Sequence, residues 1–277
     1  SRPQKTNLLK LTPRNNMPAE KITRKLYNGE ISIDFYPESH RYRLHGTPGY
    51  LISASAAAGI VDKSRFLIPW ALGLAGAHLR QYLENVAHNT YTAEELLPVI
   101  EEALLQHAVK KEEAASIGSA VHAFAEAYAL FRLGRGPEPQ IVDGWDDRIM
   151  TGVTSFLDWF TAHEIVFVET ERLLYSRQHG YVGITDVVAL IDGRKFILDY
   201  KTSKGIYNDQ LYQLSAYWAA HEEEEGQKLD GGAILHFDKE SGNFTFKEIP
   251  RDEHEKNFKT FLACLAVKQR EKELSSK

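Results

Sequence analysis

Between residues 165 and 201 three runs rich in Val, Ile, Leu and Tyr follow in quick succession, at 165–175, 181–191 and 195–201, with only Asp192-Gly193 and a few residues between the last two. Asp-Gly is among the strongest two-residue hairpin signals, because both residues tolerate the positive φ that a type I′ turn requires. The second and third runs are therefore expected as neighbouring antiparallel strands. A helical stretch at 207–224, two more apolar runs at 231–237 and 244–249, and a closing helix at 252–273 complete the pattern. Strands interleaved with helices in this way predict an α/β core with a mixed central sheet flanked by helices.

The part before residue 164 reads differently. Residues 1–25 are polar and carry Pro3, Pro13 and Pro18, which predicts a flexible arm. Residues 26–60 read as a small β-ribbon, with Ile31, Ile33 and Phe35 alternating with Ser32 and Asp34. Residues 61–163 read as a preceding or inserted helical lobe with helices at 64–87, 92–107, 111–133 and 143–163. Thr92, followed by Glu94 and Glu95, is an N-cap candidate, and Gly134-Arg135-Gly136-Pro137 is a helix stop. Residues 164–277 are then the core. The run Glu222–Glu225 reads as a solvated helix end.

Composition narrows the function classes. The net charge of −5 excludes a globally basic nucleic-acid coat but leaves room for a local basic groove. Cys264 is the single cysteine, so a disulfide framework, a zinc knuckle or an iron–sulfur cluster cannot be built within this chain, and Cys264 is expected as a small core residue. The sequence has no run of about 18 apolar residues and no secretory signal, so a soluble, intracellular protein with no membrane partner is expected, cytoplasmic or phage-encoded in a host cytoplasm.

The stretch that carries chemistry is Gly183-Ile-Thr-Asp186 followed by Leu198-Asp199-Tyr200-Lys201. On a strand, Asp199 and Lys201 share one face while Leu198 and Tyr200 share the other. Such charges amid core residues are costly unless paired or bound to an ion. The hairpin brings Asp186 beside Asp199, and two adjacent carboxylates repel unless a divalent cation lies between them. Asp186 and Asp199, with the main-chain carbonyl of Tyr200, could thus hold Mg²⁺ or Mn²⁺. Lys201 could then orient or deprotonate a water or stabilise transition-state charge. Lys204 is placed to touch phosphates, and Tyr181 reads either as a base-stacking ring or as core.

Four elements in order now carry a resemblance: Gly118-Ser-Ala-Val-His122-Ala-Phe-Ala-Glu126, Gly183-Ile-Thr-Asp186, Asp199-Tyr200-Lys201, and Gln213-Leu-Ser-Ala-Tyr217. The chain resembles the RecB-type branch of the PD-(D/E)xK nuclease superfamily, which includes phage-type and mitochondrial-maintenance exonucleases. The resemblance implies a restriction-endonuclease-like core with catalytic Asp186, Asp199 and Lys201. It also implies His122 as a metal ligand, and Gln213 and Tyr217 near the active site and the DNA. Glu126 would orient His122 or be a surface charge, and Gln210 could take the place of Gln213. The implied activity is Mg²⁺- or Mn²⁺-dependent DNA hydrolysis in repair or recombination, with exonuclease action on single-stranded DNA or frayed duplex ends. A sequence- or structure-specific endonuclease and an inactive nucleic-acid-binding protein are the alternatives. The sequence has no P-loop, so unwinding would fall to a helicase or recombination partner.

Overall fold

The computed structural model describes residues 20–85, 90–238 and 240–275, which divide into two compact units with the boundary after Tyr50. The first is a three-stranded antiparallel sheet of β1 (Ile22–Leu26), β2 (Ile31–Tyr36) and β3 (Arg41–Leu44). Its buried apolar residues include Ile33 and Tyr42. Asp34 is buried on the other side of β2, where Thr23 Oγ1 donates to it at 2.6 Å and Lys21 Nζ and His45 Nδ1 lie at 3.0 Å. The hydroxyl of Thr23, aided by His45 and Lys21, holds the Asp34 carboxyl far below the usual carboxylate range despite its burial.

Two boundaries are thereby corrected. The expected arm over 1–25 ends earlier, because Ile22–Leu26 pairs with β2; residues 1–19 of the arm lie outside the described residues. The ribbon stops at Tyr50 rather than at 60, since Ile52–Ser53 joins a different sheet.

The second unit is an α/β structure. In chain order it comprises β4 (Ile52–Ser53), α1 (Ala54–Ala58), α2 (Ser64–Asn85), α3 (Ala93–Arg132), α4 (Asp147–Ala162), β5 (Ile165–Ser176), β6 (Tyr181–Ile191), β7 (Arg194–Ser203), α5 (Asn208–Glu225), β8 (Gly231–Asp238), β9 (Phe244–Ile249) and α6 (Arg251–Ser275). The six strands form one mixed sheet: β4–β6 and β7–β8 are parallel, while β5–β6, β6–β7 and β8–β9 are antiparallel. Asp192 (φ 49°) and Gly193 (φ 78°) make the expected hairpin turn between β6 and β7.

Helices cover both faces. Ile117, Val121 and Phe124 of α3 and Phe156 and Phe160 of α4 pack on Val187, Leu198, Tyr200 and Leu235. On the other face Ala54 and Ala57 of α1, Leu214 and Trp218 of α5, and Phe261 and Leu265 of α6 pack on Val188, Ile197 and Ile234. The helices expected at 92–107 and 111–133 are one 40-residue helix, begun by a reciprocal Thr92–Glu95 capping box. Ala108, Val109 and Lys110 contain no Gly or Pro, so nothing breaks the hydrogen-bond ladder between them. The second half of this helix and α4 lie on the sheet and so belong to the core, whereas α2 packs on α3. No helix among the described residues is long and apolar enough to cross a membrane.

Two further expectations change. Cys264 is half-buried, and burial pushes its thiol up. The run Glu222–Glu225 is a structural hub rather than a solvated end. Glu222 accepts from Trp218 Nε1, the Leu229 N–H and Arg251, while Glu223 accepts from Ser176 Oγ and the Arg177 N–H. Arg172 spans Glu224 and Glu225. Repetition of one charge in sequence says nothing about partners that arrive from β5, the loop before β8 and α6.

Beside this hub lie two buried histidines. His221 has neither ring nitrogen hydrogen-bonded, and His254 stacks on Trp218 with centroids 4.1 Å apart. Burial first, and nearby Arg172 and Lys195 for His221 or Arg251 for His254, push both down to about 4. A histidine that takes its proton more readily when unfolded leaves stability intact above about pH 6.5 and removes it as the pH falls towards 4. The loss is on the order of 3 kcal/mol apiece at the acid end. Urea midpoints are expected to fall between pH 7 and pH 5, and His254→Phe is expected to remove part of that fall. Equal midpoints at the two pH values would contradict this account.

Candidate active site

β5 pairs with β6 along the whole length of β6, which occupies one edge of that strand. A strand has only one other edge, so β4 and β7 share it. β4 pairs with Tyr181 and Val182, and β7 pairs with residues 187–191. Gly183, Ile184, Thr185 and Asp186 are thus left in a fork where neither neighbour completes the ladder. At the mouth of the fork Thr185 Oγ1 donates to the Leu198 carbonyl at 3.0 Å, and the Tyr200 N–H donates to Asp186 Oδ2 at 2.5 Å. The side chain of Asp186 stands in for the ladder partner that the backbone lacks.

Around this fork the structure gathers Asp186, Asp199, Lys201 and His122. Leu198 and Tyr200 belong to the cluster under α3 and α4, whereas Ile197, Asp199 and Lys201 alternate to the opposite face. Asp199 is 2% exposed and pairs with Lys201. Burial raises the Asp199 carboxyl, Asp186 raises it further, and the Lys201 ammonium offsets part of this. Burial also pulls Lys201 down, but Asp199 and Asp186 outweigh it and hold the ammonium charged. His122 Nε2 lies 3.4 Å from Asp186 Oδ1, and this contact raises the imidazole against the opposing effect of burial. The His122 ring meets Tyr200 edge-on at 5.4 Å. Of Tyr200, it is the N–H that is tied to the site, while its ring is buried.

Glu171 belongs to this cluster and was not foreseen. The pairing of Thr170 with Val187 and Arg172 with Thr185 sets Glu171 opposite Asp186. Its backbone has φ 50°, a conformation that non-glycine residues rarely adopt. Burial of its inner side, then repulsion from Asp186 and Glu126, pushes its carboxyl up to about 7, although its outer side is exposed and solvent screens part of that effect. Alternation could not have singled it out, because a bulge between Phe167 and Glu169 shifts the register of β5. Glu126 lies close enough to act on His122, Glu171 and Tyr200 electrostatically.

The glycines of two sequence elements have a steric explanation. A Cβ on Gly118 would fall 2.3 Å from Thr202 Oγ1, so only glycine lets α3 approach the end of β7 and bring His122, one turn on, to the fork. A Cβ on Gly183 would fall 2.3 Å from Cε1 of Tyr217, so glycine makes room for that ring. Tyr217 is itself buried, and Gln213 Nε2 donates to its hydroxyl at 2.6 Å. The last motif pair therefore braces α5 against the motif strand.

Other expected contacts fall elsewhere. Tyr181 is core: it is 1% exposed, donates to the Ala216 carbonyl at 2.8 Å and packs on Phe261. Its reading as a stacking platform is corrected, since no face is left for a base. Lys204 is exposed and pairs with Glu240 at 3.1 Å. Gln210 caps α5, accepting from the Tyr207 N–H and donating to Ser203 Oγ.

Among the described residues no three His, Cys, Asp or Glu side chains converge closely enough to grip an ion in the rotamers observed. Asp199 is turned to Lys201 and Asp186 to the Tyr200 N–H. The donor set nevertheless suits a divalent cation: an imidazole and a buried carboxylate flank Asp186, and Glu126 and Glu171 leave the cluster with more negative than positive charge.

No family model matches the chain, and no curated protein matches it. Among solved structures, one described as the crystal structure of SSO0001 is similar over 69% of this chain and 81% of its own, at 15% identity and a TM-score of 0.25, a likeness too slight to bear on fold or function.

Proposed function

We propose that the chain is a metal-dependent DNA nuclease of the PD-(D/E)xK superfamily, in its RecB-type branch, acting on single-stranded or frayed DNA ends. The observation that carries this reading is the fork in the sheet, where Asp186, Asp199, Lys201 and His122 meet. Two carboxylates beside a buried ammonium suit phosphodiester hydrolysis, and the imidazole supplied by α3 adds a fourth group from a distant element.

In this reading His122, Asp186 and Asp199, with the Tyr200 carbonyl, hold Mg²⁺ or Mn²⁺. When bound, such a cation neutralises charge on the phosphoryl oxygens and lowers the pKa of a water. Lys201, kept in place by Asp199, orients the attacking water or donates to a phosphoryl oxygen. Glu126 and Glu171 set the local charge that His122 and Asp186 experience. Gln213 and Tyr217 hold α5 against Gly183, so they act on substrate by keeping the fork in shape.

The test is digestion of end-labelled linear DNA, single- and double-stranded, beside covalently closed circles, with Mg²⁺ or Mn²⁺. Linear DNA is expected to be degraded and circles spared, with Asp186→Ala slower by at least about a hundredfold. Cleavage of circles would instead support an endonuclease on the same site. Undiminished cleavage by the Asp186→Ala variant would remove the fork from the chemistry.

A further inference from the structure

We infer that the polar face of the small N-terminal sheet is a clamp for the phosphodiester backbone of DNA, with Arg41 and Arg43 as its binding groups. Directly paired residues share a face of a sheet, and the register pairs Tyr36 with Arg41, Asp34 with Arg43, Thr23 with Asp34 and Lys25 with Ser32. The opposite face carries Ile22, Leu26, Ile33, Phe35, Tyr42 and Leu44, with the exposed Arg24 paired to Ile33 as its one cation. One side of the sheet is thus mainly apolar, and the other gathers Lys25, Arg41 and Arg43 with Tyr36.

On the basic side the arginines are held by rings rather than by acids. The Arg41 guanidinium lies 4.9 Å from the centre of the Tyr50 ring; that of Arg43 lies 4.7 Å from Tyr50 and 5.8 Å from Tyr36. Tyr36 and Tyr50 meet edge-to-face at 5.9 Å. Asp34, the acid on this face, is already engaged by Thr23, Lys21 and His45. Among the described residues neither Arg41 nor Arg43 has a carboxylate partner, and Arg43 Nε is buried without any hydrogen-bond partner. Stacking on a ring occupies the face of a guanidinium and leaves its in-plane N–H donors unused, and that planar fork matches a phosphate.

Charge distribution favours nucleic acid as the occupant. Residues 1–50 carry nine Lys and Arg against four Asp and Glu, with five of the nine and all four acids in the described residues 20–50, while residues 51–277 carry 24 against 34. The unit that holds the fork is therefore acidic and repels a polyanion. The N-terminal unit supplies the attraction that it lacks. The choice of DNA rests on the nuclease reading; the binding itself does not need cleavage.

The test is fluorescence anisotropy of a labelled single-stranded oligonucleotide with the full chain in EDTA, across a salt series. Arg41→Gln/Arg43→Gln is expected to bind at least about tenfold more weakly near 0.1 M salt, with a salt slope smaller by about 1.4 for two lost phosphate contacts. If that pair lowers the melting temperature sharply, Arg41→Lys/Arg43→Lys, which keeps charge but not the fork, is measured instead and is expected to bind severalfold more weakly. Wild-type affinity in the variant, no binding by the wild type, or equal competition by an acidic peptide would each overturn the clamp. If the arginine variants lose binding but the wild type never cuts DNA, the clamp stands and the nuclease reading falls.

Discussion

Lys201→Met is expected to destabilise the fold by about 3–5 kcal/mol near pH 8, whereas Asp199→Asn/Lys201→Met restores most of that loss and remains inactive. Asp199 and Lys201 are paired, and Asp199 is almost wholly inaccessible to water. Removing one partner leaves a desolvated carboxylate with Asp186 nearby; removing both charges relieves the desolvation and the repulsion together. The sign of the pH dependence follows from the raised Asp199 carboxyl. Without Lys201, protonation of Asp199 in the folded state relieves the penalty, so the deficit of the single variant shrinks as the pH falls from 8 towards 5. Denaturant melts of the wild type, the two single variants and the double variant form a cycle that measures this coupling. Additive effects would mean that the pair is not mutually dependent. A double variant that still cleaves DNA would dissociate the pair from the proposed chemistry.

Gly183→Ala is also expected to be damaging, although it adds a single methyl group. The new carbon would stand 2.3 Å from Cε1 of Tyr217. Tyr217 is buried in α5 and hydrogen-bonded to Gln213, so its ring cannot simply swing into solvent. Overpacking of this kind costs about 1–3 kcal/mol. Because Gly183 begins the fork that ends at Asp186, displaced packing here also moves the carboxylate. In a Tyr217→Ala background the same glycine substitution is expected to cost under ~1 kcal/mol, since the obstructing ring is gone. The measurement is thermal unfolding of the four combinations alongside cleavage rates. An equal cost of Gly183→Ala in both backgrounds would exclude the steric account.

The strands, the β6–β7 hairpin and the flanking helices of the sheet were legible because their signals are local. Alternation marks a strand within a few residues, and Asp192-Gly193 specifies its own turn. The facing of Asp199 and Lys201 was legible for the same reason, since period two needs no tertiary information. Tyr181 was ambiguous in sequence because an aromatic residue at a strand start suits a ligand or a core, and only the contacts with Ala216 and Phe261 decide.

What the sequence determined by itself is thus the set of elements, their periods and the parity of the charged pair, all of which depend on neighbours along the chain. Tertiary structure alone decided that β4 and β7 divide one edge of β6, that a bulge in β5 sets Glu171 opposite Asp186 in the register, and that the Glu222–Glu225 run is a hub rather than a solvated end. These depend on which strands compete for one edge and which distant cations arrive. Edge pairing and ion pairing are settled by the packing of the whole sheet, where groups far apart in sequence first come within reach of one another.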